Sequence, residues 1–413
     1  MVITTTPPRS NENARDTMEL VARCVRRLES VARAAIAACD GGARVATALA
    51  GPHWRYAWVW AVGKAAASMA REFGGAFVVD ATVAGHPLPD ARSVAAGEQL
   101  LAQARAVPAD ERALLLLSGG ASSLLAAPIA GLTLAELQAT TAALLHAGAP
   151  IGDINIVRRH LTRLGGGKLA AACAGAIDVL ALSDVGGDDP ALLAATIGSG
   201  PASPEPASRA AALAIACRCG APDAALRALA GDGAENPRAD HPAFARGSYR
   251  ILASPQTLLQ EAVAAATAAG FAVVPRAALV AGDIADFAAE LAAATRTLAR
   301  GQCLVAVGEP TVRVRGDGSG GRAQHLALTL VPALAGGDFA FVALGSDGRD
   351  GPTDAAGAAV DGQTAAALAH AGVDVADALA RCDSHGALAA VAATITSWPT
   401  GTNLTDLYLL ARA

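Results

Sequence analysis

Residues 308–330, GEPTVRVRGDGSGGRAQHLALTL, bring an arginine to the end of a glycine-rich loop. Residues 311–315 alternate valine with Thr or Arg, the period of a strand with one face buried. Four of the six residues 316–321 are glycine, and from residue 323 the pattern is helical. A strand, a bare loop and a helix start make an anion site, because a helix N-terminus offers unpaired N–H groups and glycine lets a phosphate approach the backbone. Gly318, Gly320 and Gly321 would form the cradle, with Arg322 where the phosphate would lie. The loop has P-loop spacing, but Arg322 and Ala323 replace the Lys and Ser/Thr of a Walker A motif. Gly316, Gly318 and Gly321 also satisfy GxGxxG, yet a dinucleotide-fold strand is apolar throughout and residues 311–315 carry Arg313 and Arg315. A glycine-rich hairpin turn with a surface arginine explains the stretch equally well.

Other residues could share such chemistry. Lys64 follows the apolar strand expected at 58–62 and opens a helix, which is the sheet edge where open α/β folds bind ligands. A lysine snorkelling from a helix is the plainer account. Ser118, Gly119, Gly120 and Ser122 follow a strand at 114–117 and precede a helix, so their amides and hydroxyls suit a phosphate or carboxylate. Residues 155–168, NIVRRHLTRLGGGK, gather Arg158, His160 and Lys168 around glycines, either for an anionic substrate or as a solvated helix face. Asp184 and Asp189, beside Asp188, follow a strand at 179–182, and Asp347 lies in the glycine loop after a strand at 339–344. Acids at strand ends beside phosphate loops fit Mg²⁺ or a substrate hydroxyl, and also fit simple turns. Asn403 lies in the polar run TGTNLTD before a strand at 407–410.

These groups need elements to hold them. The pattern alternates strand and helix: helices at 17–39, 65–72, 255–269 and 283–300, strands also at 76–79, 250–253, 271–274 and 304–307, and a rigid turn at 85–90. Thr133 and Glu136 form a capping box for a helix ending at His146. Composition shifts at 231–246 place a boundary near residue 245, giving domains 1–245 and 246–413. The expected class is α/β, two domains with a polar cleft between them. A net charge of −5 shows no footprint for nucleic acid or anionic membrane. Residues 113–135 lack charge, but Ser118, Gly119, Gly120 and Pro128 interrupt them, which argues against a membrane span. The polar N-terminus has no apolar signal core, so a cytoplasmic protein is expected. Seven cysteines without CxxC pairs read as buried free thiols, and eight dispersed histidines suggest no zinc site.

Taken together, VGKAAASMA, AGHPLPD, LLSGGASSLL, NIVRRHLTRLGGGKLA, LSDVGGDDP, GSGPASP, GEPTVRVRGDGSGGR, GSDGRDGPTDAAGA and TGTNLTDL resemble the glycerate 2-kinase (MOFRL) family, in its order and over nearly the whole chain. The resemblance implies a larger Rossmann-like N-terminal domain, a smaller MOFRL-type α/β C-terminal domain and an active-site cleft between them. It implies ATP-dependent phosphorylation of D-glycerate to 2-phosphoglycerate, with Mg²⁺, and with Lys64 and Arg322 as the catalytic pair. The chain departs from the family where Asn and Glu are replaced by Ala323 and His325, a third glycine by Ala121, a lysine by Arg159 and an aromatic by His385. Two other readings stay open: a hydroxypyruvate reductase, and a non-catalytic ligand-binding member of the fold. The expected partner is a small hydroxy-acid; a homodimer is compatible with the sequence, which leaves the oligomeric state open.

Overall fold

A parallel sheet of five strands and a mixed sheet of six account for the named strands of the described residues. The computed structural model describes residues 10–51, 55–85, 88–187 and 189–413, with side chains from residue 17 onward. His86 and Pro87 of the expected turn, and Asp188, lie outside the described residues. The strands are β1 (Trp58–Val62), β2 (Phe77–Val79), β3 (Arg112–Leu117), β4 (Ala176–Leu182), β5 (Tyr249–Ala253), β6 (Ala272–Pro275), β7 (Gln302–Gly308), β8 (Phe339–Gly345), β9 (Ala355–Asp361), β10 (Thr394–Thr396) and β11 (Asp406–Arg412).

The chain folds into two compact units. One comprises Asp40–Ser254 with Gly401–Leu404, the other Met1–Cys39, Pro255–Thr400 and Thr405–Ala413. The division falls at Ser254/Pro255 rather than at 245, because β5 pairs in parallel with β4 and completes the first sheet. The helix Ser10–Ala38 joins the second unit, since it buries Val21, Leu28, Val31 and Ala35 and stacks Arg27 on the Phe271 ring at 4.2 Å.

In the first unit the order is β2-β1-β3-β4-β5, all parallel. Parallel strands covered on both faces read as continuous apolar runs; Leu114, Leu115, Leu116 and Leu117 in β3 are all buried, as is all of β4. In the second unit the order is β10-β9-β8-β11-β7-β6, antiparallel except for β6 with β7. Its core gathers Leu326, Leu330, Val331 and Leu334 of the helix Arg322–Leu334 with Phe341 and Tyr408 of the sheet.

The strand expected at 311–315 does not form. Beyond an isolated bridge from Thr311 to Asp283 these residues are irregular. Both flanks of β7 are already taken, by β6 and β11, so the residues that follow it cannot fold back to pair with it. Val312 packs against the core while Val314 stays 74% exposed, so the alternation marks an exposed connection. No two of the seven cysteines form a disulfide; Cys24, Cys39, Cys173 and Cys303 are buried and Cys217 is exposed. Among the described residues no helix is long and apolar enough to cross a membrane.

Candidate functional site

Register aligns Val79, Val62, Leu117 and Ala181 across β2, β1, β3 and β4. The residues after them therefore meet at the carboxyl edge of the parallel sheet, the edge at which open α/β folds take ligands. Lys64 follows β1 through Gly63, whose φ of +126° lies where side chains are strained. A Cβ on Gly63 would also collide with the Ser118 hydroxyl and backbone. Ser118 fixes this turn: its Oγ accepts from the Ala65 N–H at 3.1 Å, its own N–H donates to the Val62 carbonyl at 2.9 Å, and the Lys64 N–H donates to the Gly119 carbonyl at 3.0 Å. The fully buried Ser118 is thus committed to holding the Lys64 backbone, in place of the ligand role expected for it. Gly120 takes φ +85° and opens the short helix Ala121–Leu124, which carries Ser122.

Asp184, two residues beyond β4, and Asn403 both crowd against Gly119, where a Cβ would strike the Asp184 carboxylate and the Asn403 amide. Residues 401–404 reach this edge through the Gly41 N–H, which donates to the Gly401 carbonyl at 2.8 Å. Burial pushes the Asp184 carboxyl above its usual range, and the positive charge of Lys64 pulls it partly back. Lys64, Gly119, Asp184 and Asn403 are therefore one constellation. Gly119→Ala is expected to lower kcat about 100-fold, the cost of displacing reacting groups by about 1 Å; steady-state kinetics beside a melting curve measures it.

Lys168 and His160 sit elsewhere in this unit and do not form an open anion site. Lys168 Nζ donates to the Arg159 carbonyl and to Asn236 Oδ1, each at 2.7 Å. His160 is 3% exposed, its Nδ1 against the Ile156 carbonyl at 2.9 Å and its Nε2 buried without a partner. Beside them the Arg159 Nε donates to Glu205 Oε2 at 2.6 Å and its Nη2 to Oε1 at 2.9 Å. Within the cationic run Arg159 braces the fold through a glutamate 46 residues away, a partner that sequence spacing could not reveal. Burial lowers Lys168 from 10.5 to about 7, Glu205 opposing and Arg209 and Arg159 reinforcing. The unfolded chain therefore holds more protons than the folded one above pH 7, so stability should rise with pH, by about 1 kcal/mol between pH 7 and 8. Chemical denaturation at both pH values should show this gain, and Lys168→Met should abolish it.

Asp189 is an N-cap: its Oδ1 accepts from the Ala191 N–H at 2.9 Å and the Leu192 N–H at 3.3 Å, starting the helix Pro190–Thr196. Asp347 accepts the Arg349 N–H at 3.1 Å in the turn after β8. Among the described residues no three His, Cys, Asp or Glu groups are placed to hold a metal together.

In the second unit the glycine loop admits protein. Gly316 and Gly318 lie against the backbone of Arg381, Gly320 against the Ser384 hydroxyl, and Gly321 against Asp350. The N-terminus of the helix Arg322–Leu334 is capped by Asp350, whose oxygens accept from the Ala323 N–H at 3.0 Å and the Gln324 N–H at 2.8 Å. An internal carboxylate thus takes the amides that would have met a phosphate. Arg322 is held by Asp406 (Nε to Oδ2, 3.0 Å) and Glu309 (Nη1 to Oε2, 3.0 Å). Burial works to lower the guanidinium pKa, but Asp406 and Glu309 outweigh it and raise it above its ordinary value. Burial also pushes Asp350 and Asp406 up to about 6. His325 is half-buried and burial lowers its pKa, which keeps the imidazole neutral. Sequence reading missed Asp350, Asp406 and Glu309 as partners of this helix start; the acid following TGTNLT was the available signal.

The MOFRL family model matches residues 302–406, and a domain of unknown function, DUF4147, matches residues 27–230. D-glycerate 2-kinase of Thermotoga maritima is 36% identical over 337 residues, 79% of this chain and 78% of that protein. A protein of Agrobacterium vitis with the provisional name hydroxypyruvate reductase is also 36% identical over 337 residues, 78% of this chain and 75% of its own. The crystal structure of glycerate kinase from Thermotoga maritima superposes with a TM-score of 0.81 at 30% identity, covering 96% of this chain and 100% of that one. Similar in sequence over most of its length and in structure through both units, the chain belongs to the glycerate 2-kinase (MOFRL) family.

Proposed function

We propose that the protein transfers the γ-phosphoryl group of ATP to the 2-hydroxyl of D-glycerate, giving 2-phosphoglycerate and ADP. The observation that carries this reading is the grouping of Lys64, Gly119, Asp184 and Asn403 at the carboxyl edge of a parallel sheet, in a chain of this family. The hydroxyl oxygen attacks the γ-phosphorus, the bond to the β–γ bridging oxygen breaks to release ADP with the electron pair on that oxygen, and the hydroxyl proton passes to solvent water. Such a transition state is loose, so the protein's task is to position the reactants and to stabilise spreading negative charge. Lys64 and Arg322 supply that charge, Lys64 from a backbone turn pinned by Ser118 and Arg322 from a guanidinium fixed by two carboxylates.

Asp184 is the residue that would hold Mg²⁺. Among the described residues the site offers one half-buried carboxylate beside an amide, which fits an ion that keeps most of its shell on nucleotide phosphates and does not fit an all-protein cage. When bound, Mg²⁺ would neutralise phosphate charge. Asp184→Asn is expected to lower kcat by about 100-fold or more, the scale of losing one charge-stabilising contact, with the melting temperature held or raised, because it removes a half-buried charge. A coupled assay of ADP release with calorimetric melting measures both.

The reductase reading draws on the name of the Agrobacterium vitis relative. The charged residues 311–315 no longer speak against it, since they are not a strand. At residues 316–321 topology does: the apolar β7 is antiparallel to β11, and the helix of the glycine loop begins fourteen residues after β7 ends, at Arg322 after Gly308. A dinucleotide fold needs its glycine turn directly between strand and helix. NADH oxidation with hydroxypyruvate in the absence of ATP would restore that reading, whereas ADP formed only with D-glycerate would support the kinase.

A further inference from the structure

Arg158 stands apart from the other cations of residues 155–168. Arg159 is bonded to Glu205, Arg163 to Glu98, and Lys168 to a carbonyl and Asn236. The Arg158 guanidinium, on the last turn of the helix Ile151–His160, has no hydrogen-bond or ion-pair partner among the described residues. Burial lowers its pKa, with no neighbouring acid to offset the cost. It lines a cavity of about 30 Å³ together with Ser122, Thr141, Thr162 and Ser199, and no carboxylate is in the lining. That is room for a group of a few heavy atoms.

The hydroxyls around it are nearly all committed. Thr141 donates to the Leu137 carbonyl at 3.0 Å, Thr162 to the Ala127 carbonyl at 3.2 Å, and Ser199 to the Ser122 Oγ at 2.8 Å. Ser122 accepts, which leaves its own proton for an incoming acceptor. Ser199 has φ +64°, a costly conformation for a residue other than glycine, and its carbonyl is tied to the Gly166 N–H at 2.9 Å. Its hydroxyl is thus held in the direction that orients Ser122. Ser122 lies three residues after Gly119, so their Cα atoms are at most about 11 Å apart.

We infer that the Arg158 cavity is a subsite for the carboxylate of the acceptor: Arg158 and the Ser122 hydroxyl donate to its oxygens and so select an acid over a neutral polyol. The inference rests on the proposed glycerate reading and deepens it. The 2-hydroxyl of D-glycerate is on the carbon bonded to the carboxylate, so anchoring that group limits where the hydroxyl can lie.

The test is isothermal titration of D-glycerate, L-lactate and glycerol into the full-length wild type, Arg158→Gln and Ser122→Ala, each first checked by thermal melting. The expected result is that wild type binds D-glycerate and not glycerol, that Arg158→Gln weakens glycerate about 30-fold, and that Ser122→Ala weakens it about 5-fold, as befits a charged and a neutral hydrogen bond. If Arg158→Gln fails to fold, Arg158→Lys takes its place: it keeps the charge, loses the forked geometry and should bind about 10-fold more weakly. L-lactate bound through Arg158 while D-glycerate is ignored would support the subsite and remove the glycerate reading. Glycerate binding within 3-fold of wild type in both the arginine and the serine variants, or no carboxylate bound by the wild type, would overturn the inference.

Discussion

Arg322→Ala is expected to lower kcat by about 1000-fold or more, the range associated with an arginine that stabilises a transferring phosphoryl group. Three N–H groups of this guanidinium are spoken for, at Asp406 Oδ2, Asp406 Oδ1 and Glu309 Oε2. Arginine carries five, so two are left to donate elsewhere, and the guanidinium stays charged across the working pH range. Arg322→Lys should rescue little, since an ammonium cannot grip Asp406 through two nitrogens and still present donors. Removing Arg322 also leaves Asp406, 5% exposed, without its cation. Its carboxyl already titrates near 6 through burial, and without Arg322 it moves higher and accepts a proton at neutral pH. Lys64→Ala supplies the independent arm, because it leaves the Asp406 pair intact. A comparable loss of kcat in both variants, with D-glycerate and ATP affinities within a few-fold of wild type, identifies charge stabilisation; a loss only of affinity would assign these residues to ground-state binding.

Glu205→Gln should cost the fold about 3–5 kcal/mol, the penalty for breaking a buried ion pair by removing one partner. The Arg159 and Glu205 side chains are 5% and 0% exposed, so water cannot replace what is lost. The carboxylate also accepts from the Ala207 N–H at 3.0 Å and lies 3.5 Å from Asn236 Nδ2, so one substitution loosens the segment carrying Lys168 as well. The double variant Arg159→Met with Glu205→Leu should recover most of the loss, since matched apolar groups replace buried pairs at little cost. Urea denaturation of the three proteins measures this; a Glu205→Gln variant as stable as wild type would mean that the pair is solvated in solution.

Much of the first unit could be read from the sequence because its central strands, β3 and β4, are buried on both faces. Trp58–Val62 was legible to the residue, and with it the placement of Lys64 at a strand's carboxyl end. The Thr133–Glu136 capping box is also present, Thr133 Oγ1 accepting from the Glu136 N–H at 3.2 Å. By contrast β9, AAGAAVD, carries almost no strand propensity and exists because β8 and β10 pair with it. Residues 311–315 had the right alternation, but β7 just before them is already paired on both sides, a fact that depends on β11, almost a hundred residues later. The glycine loop was the most misleading feature, because bare backbone serves a phosphate and a close-packed chain segment equally well. Only position shows that Asp350, 27 residues from Ala323, fills the helix N-terminus. Lys64 and Asp184 share an edge through strand order, and Asn403 joins them through a return of the chain that no local pattern encodes.

The central claim is transfer of a phosphoryl group to the secondary hydroxyl of a hydroxy-acid. Phosphorus NMR of the purified protein incubated with ATP, Mg²⁺ and D-glycerate addresses it directly, because the ester's coupling counts the protons on the carbon that was phosphorylated. The account predicts a new phosphomonoester resonance split into a doublet by the single proton on carbon 2, absent with Arg322→Ala. A triplet from the two protons of carbon 3, or ATP left intact while hydroxypyruvate oxidises NADH, would contradict it.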